Sequence, residues 1–321
     1  MQPSQYQPHS GRNSAPAYQP PLLDSASPSV MSGISPRSRV GLVSEQRAYP
    51  VPREFTSNSI PSAFFSAPDS GILWDMDGTL VESKQIWWHL CSAASMELGY
   101  GLLDYDAWEP TFGQSVDGYQ RAFFPEHSVA EIDDYINSNF ERFVEHLHIL
   151  PGCEDTLEAA VAALGGDVSR MAICTNSPLP IVQVVMKHCP TLRRFFTPER
   201  TFCAGDLFAL ETDLLKDQEH ELHRLALSPE EREAVAEAAP QCVYKYQIKA
   251  KPTGDLIFAS SHRLGVRSDL CLFVGDSKFD LMSSTASGCF AVGIAEKAHG
   301  GHLHVDNIAE LGEKLAGRNR K

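Results

Sequence analysis

In Gly71-Ile72-Leu73-Trp74-Asp75-Met76-Asp77-Gly78-Thr79-Leu80 an apolar strand runs straight into two carboxylates separated by one residue, then a glycine. The end of a strand in a parallel sheet is where ligands bind. Side chains two apart on a continuing strand share a face, and Gly78 lets the chain turn away sharply. Two carboxylates so placed can divide labour, one attacking and one handling a proton. Calcium loops use similar residues, but such a loop wants further ligands and an acidic residue downstream. Here the chain continues into apolar Leu80-Val81.

The rest of the chain supplies partners for that strand. Ile72–Trp74, Met171–Cys174, Thr201–Cys203, Leu270–Val274 and Phe290–Ile294 read as strands, with helical segments between them. Glu154–Leu164 is Ala-rich and stops at Gly165-Gly166, a helix and its C-terminal signal. Alternating strands and helices predict an α/β fold, a Rossmann-like parallel sheet with helices on both faces. Residues 84–149 break the alternation. Ile132, Tyr135, Ile136, Phe140, Phe143, Val144 and Leu147 recur at helical spacing, and the interval reads as an inserted helical cap. Residues 207–245 read as a charged helical insertion, opened by Ser228-Pro229-Glu230-Glu231. The expected division is therefore a tail at 1–68, a core at 69–83 and 150–321, and a cap at 84–149.

Composition narrows the class. The 321 residues are 43% hydrophobic and 21% charged, an ordinary globular balance. No stretch approaches the roughly 20 apolar residues of a membrane span. Net charge is −14, and residues 1–53 hold Arg12, Arg37, Arg39, Arg47 and Arg53 against Asp24 and Glu45, so the body is more acidic still. Such a body repels nucleic-acid backbone yet can bind a small phosphate ester if cations are concentrated in the site. None of the eight cysteines forms a C-x-x-C pair, which predicts buried, reduced thiols in the cytoplasm rather than a zinc knuckle. The Pro-, Ser- and Gln-rich tail lacks the apolar surface to offset its ordering entropy. It reads as a disordered segment suited to a protein partner. Its Ser and Arg content weakly resembles an organelle transit peptide, although the first basic residue is Arg12.

Three further motifs sit at element boundaries. Met171-Ala172-Ile173-Cys174-Thr175-Asn176-Ser177 is a strand ending in a hydroxyl residue, a phosphate donor or a helix cap. Lys251-Pro252 precedes Asp255 and a helix through Leu264, with Pro252 expected in its first turn. That lysine is either a phosphate-neutralising point charge or a solvated surface residue. Leu270-Cys271-Leu272-Phe273-Val274-Gly275-Asp276-Ser277 runs on to Asp280 one helical turn later, a pair of cation ligands or a cap.

Taken together and in this order, Asp75-Met76-Asp77-Gly78-Thr79-Leu80, Thr175-Asn176, Lys251-Pro252 and Gly275-Asp276-Ser277 through Asp280 resemble the haloacid dehalogenase-like superfamily over residues 71–316. The helical insert, and Val305-Asp306-Asn307-Ile308-Ala309-Glu310-Leu311, resemble its phosphoglycolate-phosphatase and beta-phosphoglucomutase branch. The resemblance implies that Asp75 attacks phosphorus and that Asp77 protonates the leaving alcohol. It implies phosphate held by Thr175, Asn176 and Lys251. It also implies magnesium bound by Asp75, the main-chain carbonyl of Asp77 and Asp276, with Asp280 supporting that shell or ligating through water. Physics points the same way. Two like charges at about 4 Å repel by roughly 4 kcal/mol at an effective dielectric near 20, so four crowded carboxylates call for a cation.

Members of that superfamily that cleave carbon–halogen bonds lack the second aspartate, so Asp77 points to phosphate esters. Gly113-Gln114-Ser115 is similar to the branch's substrate-facing cap loop, and Arg121 follows it, which makes Gln114, Ser115 and Arg121 the candidate specificity residues. Trp87, Trp88 and Tyr100 read as cap core. His299, His302 and His304 read as a loop without ligand geometry. Glu82 departs from the aspartate common in relatives. The expected function is a magnesium-dependent phosphatase of a small phosphorylated metabolite. The alternatives are a phosphosugar mutase on the same core and a catalytically silent scaffold.

Overall fold

The computed structural model describes residues 57–203, 249–295 and 300–317. The insertion expected at 207–245 and most of the tail lie outside the described residues, as does His299. The first half of the described chain contains α1 (Ala63–Ser66), β1 (Gly71–Trp74), β2 (Val81–Glu82), α2 (Lys84–Glu97), α3 (Tyr105–Trp108), α4 (Val116–Phe123), α5 (Val129–Asn139) and β3 (His148–Ile149). After these come α6 (Cys153–Ala163), β4 (Met171–Thr175), α7 (Leu179–His188) and β5 (Thr201–Cys203). The last stretch holds α8 (Asp255–Leu264), β6 (Cys271–Gly275), α9 (Lys278–Ser287), β7 (Phe290–Ile294), β8 (Leu303–Val305) and α10 (Ile308–Ala316).

Six strands form one parallel sheet in the order β5-β4-β1-β6-β7-β8. Leu73 of β1 lies level with Ala172 of β4 on one side and Phe273 of β6 on the other. Strand residues alternate between faces. Ile72, Trp74, Ile173 and Val274 join a core closed by Leu157, Val182 and Leu311 of α6, α7 and α10. Leu73, Cys174 and Phe273 join a core closed by Leu256 and Ile257 of α8. Every residue of β1, β4 and β6 is buried, as a strand covered on both faces must be. The chain reaches β4 on one side of β1 and later crosses to β6 on the other. The ends of β1, β4 and β6 therefore flank the point where strand order reverses, the place for a ligand in such sheets.

Helices α2 to α5 lie in one sequence interval, and its two connections to the sheet pair with each other. Val81 and Glu82 form an antiparallel ribbon with Ile149 and His148. Within the insert, Ser128 and Glu131 make a reciprocal capping box at the start of α5. Trp87 and Trp108 pack inside.

Several expectations need correction. His148–Ile149 and Leu303–Val305 are strands that were not expected, each short enough to hide its period. His304, expected in a loop, is therefore on the edge strand β8. The helical spacing from Ile132 to Leu147 breaks at Phe140, where a 3-10 segment begins. Phe143 has φ −121° and Leu147 is extended. The fold also begins before residue 69. Ile60 is buried, Phe64 packs on Phe290 with ring centroids 5.1 Å apart, and Ser57 N–H donates to the His302 carbonyl. Apolar Ile60 and Phe64 anchor this stretch on the core.

Helices α6 and α10 meet at Gly312, where an added Cβ would stand 2.5 Å from Thr156 Oγ1. That hydroxyl donates to the Ile308 carbonyl at 2.9 Å. Gly312→Ala should therefore destabilise the protein by about 1–3 kcal/mol, read as a lower urea midpoint at an unchanged slope; an unchanged midpoint would show that the helices can part freely.

Candidate active site

Asp75 is the first residue past β1, and its N–H donates to the Val274 carbonyl at 2.8 Å. The chain then turns at once. Leu80 N–H and Val81 N–H return to the Met76 carbonyl, and Gly78 N–H donates to Val81. Gly78 holds φ +81°, and a side chain there would collide with the Asp276 carboxylate. Glycine is thus required twice, for its backbone angle and for the close approach of this turn to Asp276. Asp276 follows β6, and Thr79 Oγ1 reaches its carboxylate at 3.5 Å.

Lys251 enters from the segment before α8 and is 2% exposed. Its ammonium lies 2.6 Å from Asp75 Oδ1 and 2.6 Å from Asp280 Oδ1, over the Phe273 ring at 5.3 Å. Pro252 does not sit in the helix, as was expected. Thr253 hydroxyl bonds the Lys249 and Ala250 carbonyls, so a turn intervenes and α8 begins at Asp255. Asp280 is fixed from both sides. Its Oδ2 accepts from Ser277 N–H at 3.0 Å and Ser277 Oγ at 2.6 Å, a capping box on α9.

Among the described residues, Asp75, Asp276 and Asp280 bring carboxylate oxygens within 4.8 Å of one another. Burial first, then the charge of Asp280, pushes the Asp75 carboxyl up to about 8, against the pull of Lys251. Burial, then Asp280 and Asp75, raise the Asp276 carboxyl well above the usual range. Burial alone would lower the Lys251 ammonium, but Asp280 and Asp75 outweigh it and hold it above its ordinary value. One ammonium among three carboxylates leaves the group short of positive charge. The donors are all oxygen, the set a hard divalent cation takes, so the residues fit such an ion.

Asp77 has a different environment. Ser83 Oγ donates to its Oδ1 at 2.5 Å, Trp87 Nε1 donates to the same oxygen at 3.2 Å, and Ser177 Oγ donates to Oδ2 at 2.6 Å. Ser83 stands at the N-cap position of α2 but makes no side-chain cap; its hydroxyl serves Asp77 instead. Sequence reasoning missed Ser83 and Ser177 and placed Trp87 in the cap core alone. The only local signal was Ser177 directly after Thr175-Asn176.

Thr175 is buried, and its Oγ1 accepts from Ser177 N–H at 3.2 Å, which leaves its proton for another acceptor. The side chain of Asn176 is engaged within the protein. Its Nδ2 donates to the Gly113 and Lys251 carbonyls at 3.0 Å each, and its Oδ1 accepts from Lys251 N–H. It clips the cap loop to the lysine segment. Gln114 lies where the sequence put it, lining a cavity of about 10 Å³ with Asp75, Asp77, Trp87 and Thr175. Its Nε2 is buried with no hydrogen-bond partner. Ser115 and Arg121 line a separate cleft of about 530 Å³ beside it. Ser115 Oγ is bonded to Asp117, and Arg121 pairs with Asp117 at 2.6 Å.

A covered parallel sheet whose switch point gathers carboxylates around one buried lysine, beneath a helical insert, defines an α/β enzyme with an acidic, cation-ready site. The comparisons agree. Residues 72–197 match the family model for haloacid dehalogenase-like hydrolases. No curated protein matches it. Among solved structures it is similar to CbbY from Rhodobacter sphaeroides in complex with phosphate, at 18% identity and TM-score 0.54 over 75% of this chain and 96% of that one. It is also similar to a beta-phosphoglucomutase from Clostridium difficile, at 16% identity and TM-score 0.51 over 78% and 99%. A predicted phosphoglycolate phosphatase from Haemophilus somnus gives 17% and 0.51 over 77% and 97%. At these identities the likeness is one of fold.

The raised Asp75 carboxyl fixes the sign of the pH dependence. The folded state binds a proton that the unfolded state releases near the ordinary 3.8, so metal-free stability should fall as pH rises from there to about 8. Lys251→Ala should steepen that fall. With two buried carboxylates left unpaired, it should cost about 3–5 kcal/mol at pH 8 and less at pH 5. Urea denaturation in EDTA at both pH values measures it; an equal loss at both would mean that Lys251 contributes packing rather than charge.

Proposed function

We propose that the protein is a phosphatase of small phosphorylated metabolites, acting through an aspartyl-phosphate on Asp75 with magnesium. The observation behind this reading is the pairing of Asp75 with the buried Lys251 ammonium at 2.6 Å, at the rim of a cavity shared with Asp77, Thr175 and Gln114. A carboxylate whose neighbour is a fixed cation can receive a dianionic phosphate that would otherwise be repelled.

In this reading Asp75 attacks phosphorus, and the bond to the leaving oxygen breaks with its electron pair. Asp77 gives that oxygen a proton and afterwards takes one from the attacking water. Thr175 donates to a phosphate oxygen, while Lys251 balances the growing charge as a point charge. Asn176 keeps Lys251 and Gly113 in place. Asp75, Asp276 and the main-chain carbonyl of Asp77 would hold magnesium, with Asp280 supporting from behind through Lys251 and Ser277. When bound, the ion neutralises carboxylate and phosphate charge.

The cavity over Asp75 has room for about one water, so substrate enters by displacement of the cap, residues 84–149. Gln114 Nε2, buried and unpartnered, is a donor for the substrate. Ser115 and Arg121 face the larger cleft where a leaving group would extend. The setting is cytoplasmic, and the tail that precedes residue 57 is proposed to serve a protein partner.

Asp75→Asn keeps the shape and loses the nucleophile. It should lower turnover on a phosphate-ester panel with magnesium by at least roughly a thousand-fold; turnover near wild type would remove Asp75 from its role. Gln114→Ala should raise KM about three- to ten-fold with kcat little changed. In labelled water the label should appear in released phosphate; phosphate returned to the substrate instead would make the protein a mutase. Magnesium binding at pH 7 should release protons, because Asp75 is largely protonated there without it. Calorimetry in buffers of different ionisation enthalpy reads this, and buffer-independent heats would contradict it.

A further inference from the structure

We infer that Trp87 is a positioning residue for Asp77: it fixes which carboxyl oxygen exchanges a proton with the leaving group, and it ties that choice to the seating of the cap. The inference rests on the phosphatase reading above. It starts from an asymmetry around Asp77. Oδ1 accepts from two groups, Ser83 Oγ and Trp87 Nε1, both on the cap side. Oδ2 accepts from one, Ser177 Oγ, on the core side after β4.

Donor chemistry makes the asymmetry consequential. A serine hydroxyl can donate or accept by rotating, so Ser83 and Ser177 tolerate either protonation state. An indole N–H only donates. Ser83 and Trp87 together occupy the Oδ1 lone pairs, and only Ser83 can turn away, so Oδ1 is the weaker place for a proton while the indole bond exists. When Asp77 is a carboxylic acid its proton sits on Oδ2, where Ser177 turns to accept or steps aside. On leaving-group departure the Oδ2–H bond breaks, the proton joins the leaving oxygen, and Asp77 is left as the carboxylate that Trp87 and both serines stabilise.

Trp87 is also held by the cap. Its ring is 4% exposed and stacks on Tyr119 at 5.6 Å and 15°, with Phe140 edge-on at 5.8 Å. The Tyr119 hydroxyl faces the main chain of Gly113. The Gly113 carbonyl in turn accepts from Asn176 of the core at 3.0 Å. A continuous path thus runs from the clip between cap and core, through two stacked rings, to the acid. Loss of the Gly113–Asn176 bond as the cap lifts would free the stack and with it the orientation of Asp77.

Leaving-group dependence tests this, since an alkoxide needs a proton and p-nitrophenolate hardly does. The measurement is kcat/KM with magnesium, which reports steps up to leaving-group departure, for p-nitrophenyl phosphate and for glycerol 2-phosphate. Trp87→Phe keeps a stacking ring and removes the N–H. It should lower kcat/KM on the alkyl ester about ten-fold more than on the aryl ester. If Trp87→Phe does not fold, benzothienylalanine placed at position 87, with sulfur in place of N–H, should give the same differential. An equal loss on both esters, or no loss, overturns the inference and leaves the phosphatase reading standing. Wild-type protein that turns over neither ester overturns both.

Discussion

Negative charge is what the rest of the structure is organised around. Asp75, Asp276 and Asp280 converge at the end of a sheet in a chain of net charge −14. Two like charges at about 4 Å repel by roughly 4 kcal/mol at an effective dielectric near 20, a sizeable fraction of a typical domain's stability. The fold meets that repulsion with one ammonium placed between Asp75 and Asp280 and a capping box that fixes Asp280. It does not neutralise the group, and burial first, then the charge of Asp280, holds the Asp75 carboxyl near 8. A site left short of positive charge in this way favours whatever brings it, and a divalent ion brings the most per unit volume.

The insert is joined to this charge cluster at two kinds of contact. Its two linkers pair as a short ribbon, Val81 with Ile149 and Glu82 with His148, which sets where the helices begin. Its loop then touches the core through Gly113 and Asn176. Asn176 also binds both N–H and carbonyl of Lys251. The residue that positions the lysine is therefore the residue that receives the cap. A change in cap position and a change in the setting of Lys251 are mechanically linked, with one side chain between them.

The sequence made the strand ends legible because each is a local event. At Trp74-Asp75, Cys174-Thr175 and Gly275-Asp276 an apolar run gives way to a polar residue, and burial on both faces of the sheet forces that pattern. Asp75, Asp276 and Asp280 could be placed together only because their order matched a known superfamily. What stayed hidden is long-range or small. Ser177 reaches Asp77 across a hundred positions of sequence, and nothing near either residue announces it. Ser83 stands at a helix N-cap position without capping it, and Trp87 lies in the cap core, yet each has a polar atom aimed at Asp77. Asn176 reads as a site residue beside Thr175, and only the geometry shows that its amide is bound to Gly113 and Lys251. Leu303–Val305 is too short for its alternation to be seen.

The two aspartates of the first motif also show how one short segment can hold two chemistries. Asp75 and Asp77 are the same residue type, two positions apart, both 5% exposed. Asp75 has a fixed cation against one oxygen and a second carboxylate behind it. Asp77 has only neutral donors, a serine and an indole from the cap side and a serine from the core. The repulsion between a phosphate dianion and Asp75 is offset by Lys251, whereas the neutral partners of Asp77 supply no cation to offset it there. Conversely, the serine hydroxyls beside Asp77 can rotate to suit either of its protonation states, while Asp75, once a cation displaces its proton, faces Lys251 as a carboxylate at 2.6 Å. On the reading proposed here the roles of nucleophile and proton carrier are therefore not interchangeable. They follow from which side of the Asp75–Asp77 turn the lysine enters and which side the cap covers.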